Sequence, residues 1–345
     1  MKILQTSLVL IFGVSLAISK SFINGTLEND DYCTRTFYER PTCENILIYL
    51  IDNDKTLIDS EDFEMTEIDR NDLVKGLYFT ECSADTFYSC EFENNMKFLP
   101  IRISDKFPNL LTIHAQAKSI SKIRKNNLEH LSKLGKLDLT YNIIEIIEVG
   151  SFDDLVELIS LRLSNNKIKN LDENIFKNLV KLEELLLNQN EISVMKPKLF
   201  ENLRTLKVLD ISGNTLVTIH EDLFKNLVNL IRLAMTGCKL ESLPEKIFEN
   251  LQKLKYLHLS ENYLTTLAEN LFINNQNLVL IYLNYNKIQT LKYKTFENLP
   301  NVQVIELKGN ECIHANFGEI FSNIPLDDHK KEQLKNELNQ KCSNS

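Results

Sequence analysis

Basic residues are in deficit in this chain. Against 48 Asp+Glu stand 39 Lys+Arg, a formal net charge of −9. That balance excludes nucleic acid or an anionic membrane surface as the expected partner. Glycine and proline are scarce, 9 and 7 among 345 residues, while 43% of the chain is hydrophobic. The apolar fraction excludes a disordered chain. Long hydrophobic runs are missing beyond the N-terminus, and the tail from Lys341 to Ser345 is polar. Neither a transmembrane receptor nor a lipid-anchored protein is expected. Catalytic signatures are missing as well. There is no Cys-x-x-Cys, His-Glu-x-x-His, Gly-x-Ser-x-Gly or phosphate loop. His220-Glu221 lacks its second histidine, and Asp52-Asn53-Asp54 lacks the glycine and terminal glutamate of a calcium loop. No catalytic residue, metal site or cofactor is expected.

The N-terminus reads as an export signal. Lys2 precedes an apolar run from Leu8 to Leu16, and Ala17 and Ser19 place small residues before a cut at Lys20. A membrane anchor, the alternative, needs about 20 apolar residues. Residues 1–19 are therefore expected to be removed, and the mature chain to be secreted and extracellular. Asn24-Gly25-Thr26 is a candidate glycosylation site just beyond the cut. Seven cysteines follow: Cys33, Cys43, Cys82, Cys90, Cys238, Cys312 and Cys342. An oxidising compartment favours disulfides, and the odd count leaves one thiol over.

The strongest signal is a repeat. Asn142, Asn166, Asn190, Asn214, Cys238, Asn262, Asn286 and Asn310 recur every 24 residues. An aliphatic residue follows each by two, from Ile144 to Ile288, and a phenylalanine by ten: Phe152, Phe176, Phe200, Phe224, Phe248, Phe272 and Phe296. Leu pairs such as Leu137/Leu139 and Leu161/Leu163 precede each Asn. Leu-x-Leu alternation is a short strand with one buried face. Strands from successive turns can stack into a parallel ladder that buries the Leu face between turns. The Asn column has both donors and acceptors for backbone groups where the chain leaves the strand. The Phe column fills the outer half of the core. These columns resemble the leucine-rich repeat, L-x-x-L-x-L-x-x-N-x-L, over about residues 107–312. The resemblance implies a horseshoe-shaped α/β solenoid with a curved parallel β-sheet, short helical or irregular outer segments and disulfide-bonded end caps.

Some positions depart from the pattern. Cys238 occupies an Asn slot, either as a reactive thiol or as a buried ladder residue, and is the candidate for the unpaired cysteine. Lys118 takes the same slot earlier. Asn275 interrupts the Leu column after Phe272, which predicts looser outer packing there. Val74, Leu77 and Phe79 open one more turn upstream, giving about ten ladder strands. The expected divisions are a cap region at 20–73, repeats at 74–311 (regular from about 107) and a C-terminal cap at 312–345.

The caps carry the remaining cysteines. Ile46 to Ile51 can form a cap strand, with Cys33 and Cys43 closing a hairpin before it. Cys82 and Cys90 can tie back an insertion. The charged stretch Asp327 to Lys341 reads as a helix with Leu334 and Leu338 on one face. A Cys312–Cys342 bond would clamp it over the last coil. Six cysteines leave other pairings open, and proximity in sequence favours this set. The hairpin, then Val74-Lys75-Gly76-Leu77, Met96 to Pro100 and Phe107 to Leu110, looks like secreted leucine-rich proteins of insects, including the leucine-rich immune proteins of mosquitoes. This chain lacks their long C-terminal coiled coil and interchain cysteines. The acidic stretch 51–72, with nine acids and two bases, and the basic group Lys118, Lys122, Arg124 and Lys125 read as solvated faces.

With the Leu residues inward, their neighbours line the concave face. One column runs His114, Asp138, Arg162, Leu186, Asp210, Ala234, His258, Tyr282, Glu306. Most other entries are small and polar. Tyr256, His258, Tyr263, Tyr282 and Tyr285 are expected to cluster over two adjacent strands as a contact surface, since exposed tyrosines are frequent hot spots. The bland alternative is rings packing side by side on a wet sheet. Function is expected to be non-catalytic recognition of an extracellular protein or glycan, with a place in insect innate immunity implied by the resemblance. A structural or adhesive matrix or cell-surface protein is the alternative.

Overall fold

The computed structural model describes residues 46–50, 76–80, 99, 101, 103–117, 119–319 and 324–343. Residues 1–19, Asn24, Cys33, Cys43, Cys82, Cys90, the acidic stretch 51–72 and Lys118 lie outside them.

Strands β1 (Ile46–Leu50) and β2 (Gly76–Thr80) pair in parallel, Leu47 opposite Leu77. Then come α1 (Ile103–Lys106), β3 (Thr112–His114), β4 (Lys122–Ile123), α2 (Lys125–Leu128), β5 (Lys136–Asp138) and β6 (Ile146–Ile147). The regular coils contribute β7 (Ser160–Arg162), β8 (Glu184–Leu186), β9 (Val208–Asp210), β10 (Arg232–Ala234), β11 (Tyr256–His258), β12 (Leu280–Tyr282) and β13 (Val304–Glu306). β14 (Asn316–Phe317) and α3 (Asp328–Lys341) close the end. Twelve strands form one sheet in the order β1-β2-β3-β5-β7-β8-β9-β10-β11-β12-β13-β14. Among these described strands, β14 alone runs antiparallel to its neighbour. β4 and β6 form a separate pair on the flank.

Register follows the repeat: Leu161, Leu185, Leu209, Leu233 and Leu257 stand opposite one another and are all fully buried. The Phe column is buried too and stacks in two runs, Phe152 to Phe224 and Phe248 to Phe296, with ring centroids 6.0–6.4 Å apart. Neighbouring strands lie only about 4.8 Å apart. The outer side of each coil is therefore more widely spaced than the sheet side, and the sheet must curve with its open face inward. A second Asn column spaces the outer side: Asn178, Asn202 and Asn226 each donate to a carbonyl 25 residues back, at 2.9 Å.

The ladder asparagines act in a fixed way. Asn214 Oδ1 accepts the Ile192 N–H at 3.0 Å, while its Nδ2 donates to the carbonyls of Leu187 at 3.0 Å and Ile211 at 2.8 Å. The same arrangement recurs at Asn166 and Asn310. Cys238 performs half of it. Its thiol donates to the Ile211 carbonyl, Sγ···O 3.2 Å, but its side chain has no oxygen to accept the Leu216 N–H. That N–H turns to the Cys238 carbonyl instead, 2.9 Å away, and Val217 adopts φ +43°. The break between the two Phe runs falls in this coil. Burial pushes the Cys238 thiol up to about 12, so it stays protonated as the donor it must be.

Asn275 corrects the expectation of looser outer packing. It is fully buried, and its Nδ2 donates to the carbonyls of Phe248 and Leu251, both at 2.9 Å. Its Oδ1 is enclosed without a donor, and the Phe stack continues past it with Phe272 and Phe296 at 6.1 Å but tilted by 28°. At the C-terminal end, Asp327 caps α3 by accepting the Lys330 N–H at 2.7 Å. Leu334 and Leu338 face the core. The Cys312–Cys342 disulfide, with Cα atoms 5.1 Å apart, fastens the helix to the last coil.

Candidate functional site

The open face of the sheet divides into two chemically different parts. In the N-terminal part the polar side chains bond one another. Asp138 takes hydrogen bonds from Gln116 Nε2 and from the Thr140 hydroxyl. Arg162 Nε meets Glu184 Oε1 at 2.7 Å, and the same oxygen accepts from the Ser160 hydroxyl. Burial lowers His114 below the usual range for histidine. This part is occupied by its own internal contacts.

The C-terminal part differs. His258 on β11 and Tyr282 on β12 stand opposite each other and stack, ring centroids 4.7 Å apart. Tyr256 lies one inward leucine before His258 on the same strand. Desolvation, with the Arg232 guanidinium as a second cause, pushes His258 down to about 3. The ring is neutral at any ordinary pH. Burial raises Tyr256 and Tyr282, and also Asp210 and Glu306. Between Asp210 and His258 stands the small, buried Ala234. Arg232, opposite Tyr256, has its Nε enclosed by protein without an acceptor.

Of the five residues expected to cluster, three come together: Tyr256, His258 and Tyr282. Tyr263 and Tyr285 do not join them. Strand alternation ends at Glu261 and Tyr285, where φ turns to +57° and +56°. Tyr285 lies in the turn over Gly309, where a Cβ would stand 2.6 Å from its ring, and is 54% exposed. Tyr263 follows ladder residue Asn262 and carries the Lys287 ammonium 4.2 Å above its ring. The two rings line the edge of the ladder and leave the open face to the other three. Arg232 was absent from the expected set. Its signal was the column one residue before each inward leucine, in which it is the only arginine among Ser160, Glu184, Val208, Tyr256, Leu280 and Val304.

The basic group on the flank is also partly engaged. Lys122 Nζ pairs with Glu148 at 2.6 Å, and Glu148 accepts the Lys125 N–H. Among the described residues, no set of three His, Cys, Asp or Glu side chains could hold a metal ion. Nor is any described helix long and apolar enough to cross a membrane.

A parallel ladder with an asparagine at nearly every exit, Cys238 standing in at one, and two phenylalanine stacks behind it defines a solenoid that displays its sheet face. The chain belongs to the leucine rich repeat family, whose model matches overlapping blocks from 108–168 to 262–312, more than half of its length. No curated protein matches it. Among solved structures it is similar to a chain of the TLR13–ssRNA13 complex, with TM-score 0.61 and 26% identity over 69% of this chain and 33% of that one. It shares a fold with a chain of the Toll–Spatzle complex of Drosophila, with TM-score 0.55 and 21% identity, again over 69% of this chain and 33% of that one. The chain thus spans about a third of the length of either.

Proposed function

We propose that the chain is a secreted, non-catalytic recognition protein that binds a protein or glycan through the C-terminal part of its open face. The observation that carries this reading is the contrast along the sheet. The charged side chains of the N-terminal part pair with one another, whereas the C-terminal part carries the aromatic rings of Tyr256, His258 and Tyr282, the last two stacked. Large, stiff aromatic side chains give contact area at little entropic cost and are frequent hot spots. TLR13, a repeat protein of similar fold, forms a complex with the RNA ssRNA13. The acidic balance here, 39 Lys+Arg against 48 Asp+Glu, turns the same architecture away from RNA. Export follows from the apolar leader, and a part in insect haemolymph defence follows from the resemblance of the cap phrases to mosquito immune proteins.

The test is capture from extracellular fluid by the recombinant chain, wild type against Tyr256→Ala/Tyr282→Ala. Loss of captured ligand by roughly tenfold or more, at an unchanged melting temperature, is the expected result. Equal capture by both would sink the reading. N-terminal sequencing of the protein recovered from medium should begin at Lys20.

A further inference from the structure

We propose that Arg232 is the point at which this face reads a carboxylate, so that the ligand is a protein segment presenting an Asp or Glu side chain beside an apolar residue. This rests on the open-face reading above and deepens it.

Arginine carries five N–H donors and no acceptor, so a guanidinium held against protein needs oxygen partners. Arg162, another arginine on this face, has them: Glu184 at 2.7 Å and Asp138 at 3.9 Å. Arg232 does not. Its Nε is enclosed and meets no acceptor, and no described side chain forms an ion pair with it. The nearest acid by register is Asp210 on the adjoining strand; it feels the Arg232 charge but accepts the Ser212 N–H at 2.9 Å and makes no close ion pair with the guanidinium. With no side-chain acceptor on this face taking the guanidinium, its terminal Nη groups are the donors left for a ligand carboxylate.

The surroundings select among anions. In its own column Arg232 is flanked by Val208 and Tyr256, followed by Leu280 and Val304. These aliphatic and aromatic neighbours suit a peptide side chain better than the hydroxyls of a glycan. His258 adds no competing positive charge, because it is neutral. Glu306 and Asp210 are acids facing this region; burial raises both, and on Asp210 the Ser212 hydrogen bonds and the Arg232 charge act in the opposite direction. Within its own column, between Val208 and Tyr256, the charged group offered to an incoming side chain is the Arg232 fork, whose geometry matches a carboxylate bidentately.

The experiment is selection from a random dodecapeptide library on the wild-type full chain. The selected peptides are then measured on Arg232→Gln, Arg232→Lys and the Tyr256→Ala/Tyr282→Ala variant. Selected sequences should share an Asp or Glu next to an apolar residue. Changing that acid to its amide in the peptide should weaken binding at least tenfold, as should Arg232→Gln, with Arg232→Lys between. The peptide change needs no altered protein, so it holds even if a variant fails to fold. Peptides without an acidic position, indifference to the amide change, or no selected peptide at all overturns the proposal. If the tyrosine variant loses the peptides while Arg232→Gln keeps them, face recognition stands and the carboxylate assignment falls. If neither variant matters, both fall.

Discussion

A ladder asparagine replaces several backbone partners at once. Asn214 binds one N–H and two carbonyls in places water does not reach. Asn214→Leu, close in size but without those atoms, should destabilise the chain by about 1–3 kcal/mol, because each unpaired buried polar group carries a penalty of that order. Cys238→Asn should act in the opposite direction by about 0.5–1.5 kcal/mol, returning an acceptor to the Leu216 N–H. Urea unfolding of both variants checks the pair. If Cys238→Asn lowers stability, the displaced bond at Leu216 is a better arrangement than the ladder bond it replaces. His258 shows how far residue chemistry exceeds the strand pattern. Alternation alone puts Tyr256, His258 and Tyr282 on one face. It does not give the stacking of the last two, nor the depressed basicity of the histidine, which depend on neighbours 24 residues away.

At the scale of elements, α3 matters most, because it covers the last coil. Its burial rests on Leu334 and Leu338, with Asp327 as cap and the Cys312–Cys342 bond across a separation of 30 residues. A loop of that size gives a disulfide worth about 3.6 kcal/mol. Reduction, or Cys342→Ser, should lower the melting temperature and raise hydrogen exchange in 326–342 before the middle coils respond. Uniform exchange across all coils would show that the cap is not a separate unit. This helix was legible in the sequence because leucines four apart in a charged stretch admit one reading. The two-stranded β4–β6 pair was not, since two-residue strands leave no period to detect. Tyr263 and Tyr285 were misplaced for a related reason. Non-glycine residues at positive φ carry no reliable mark in sequence, and the turn they build ends the alternation.

For the whole molecule, the 24-residue period made the fold readable from one column of asparagines, and the open face was readable to the extent that alternation holds. Arg232 stayed hidden because a lone charge on a strand looks solvated until its missing partners are located. Stability should depend on pH in a direction set by His258. Its folded value, about 3, lies below the usual 6.5, so below that usual value the unfolded chain takes up a proton that the folded one refuses. Stability is fully present above about pH 6.5 and falls as the pH drops toward 3. His114, lowered by burial, acts the same way. The urea midpoint should decline between pH 7 and pH 5, and His258→Gln should flatten that decline. A midpoint constant over this range would mean the ring is protonated without cost. One further consequence lies in the coil of Cys238, where the ring stack is interrupted and one rung is tied differently from its neighbours. Load applied along the axis would find its weakest joint there, and the molecule would part into an amino-terminal block and a carboxy-terminal block, each still wound, with Arg232 carried on the strand beside the tear.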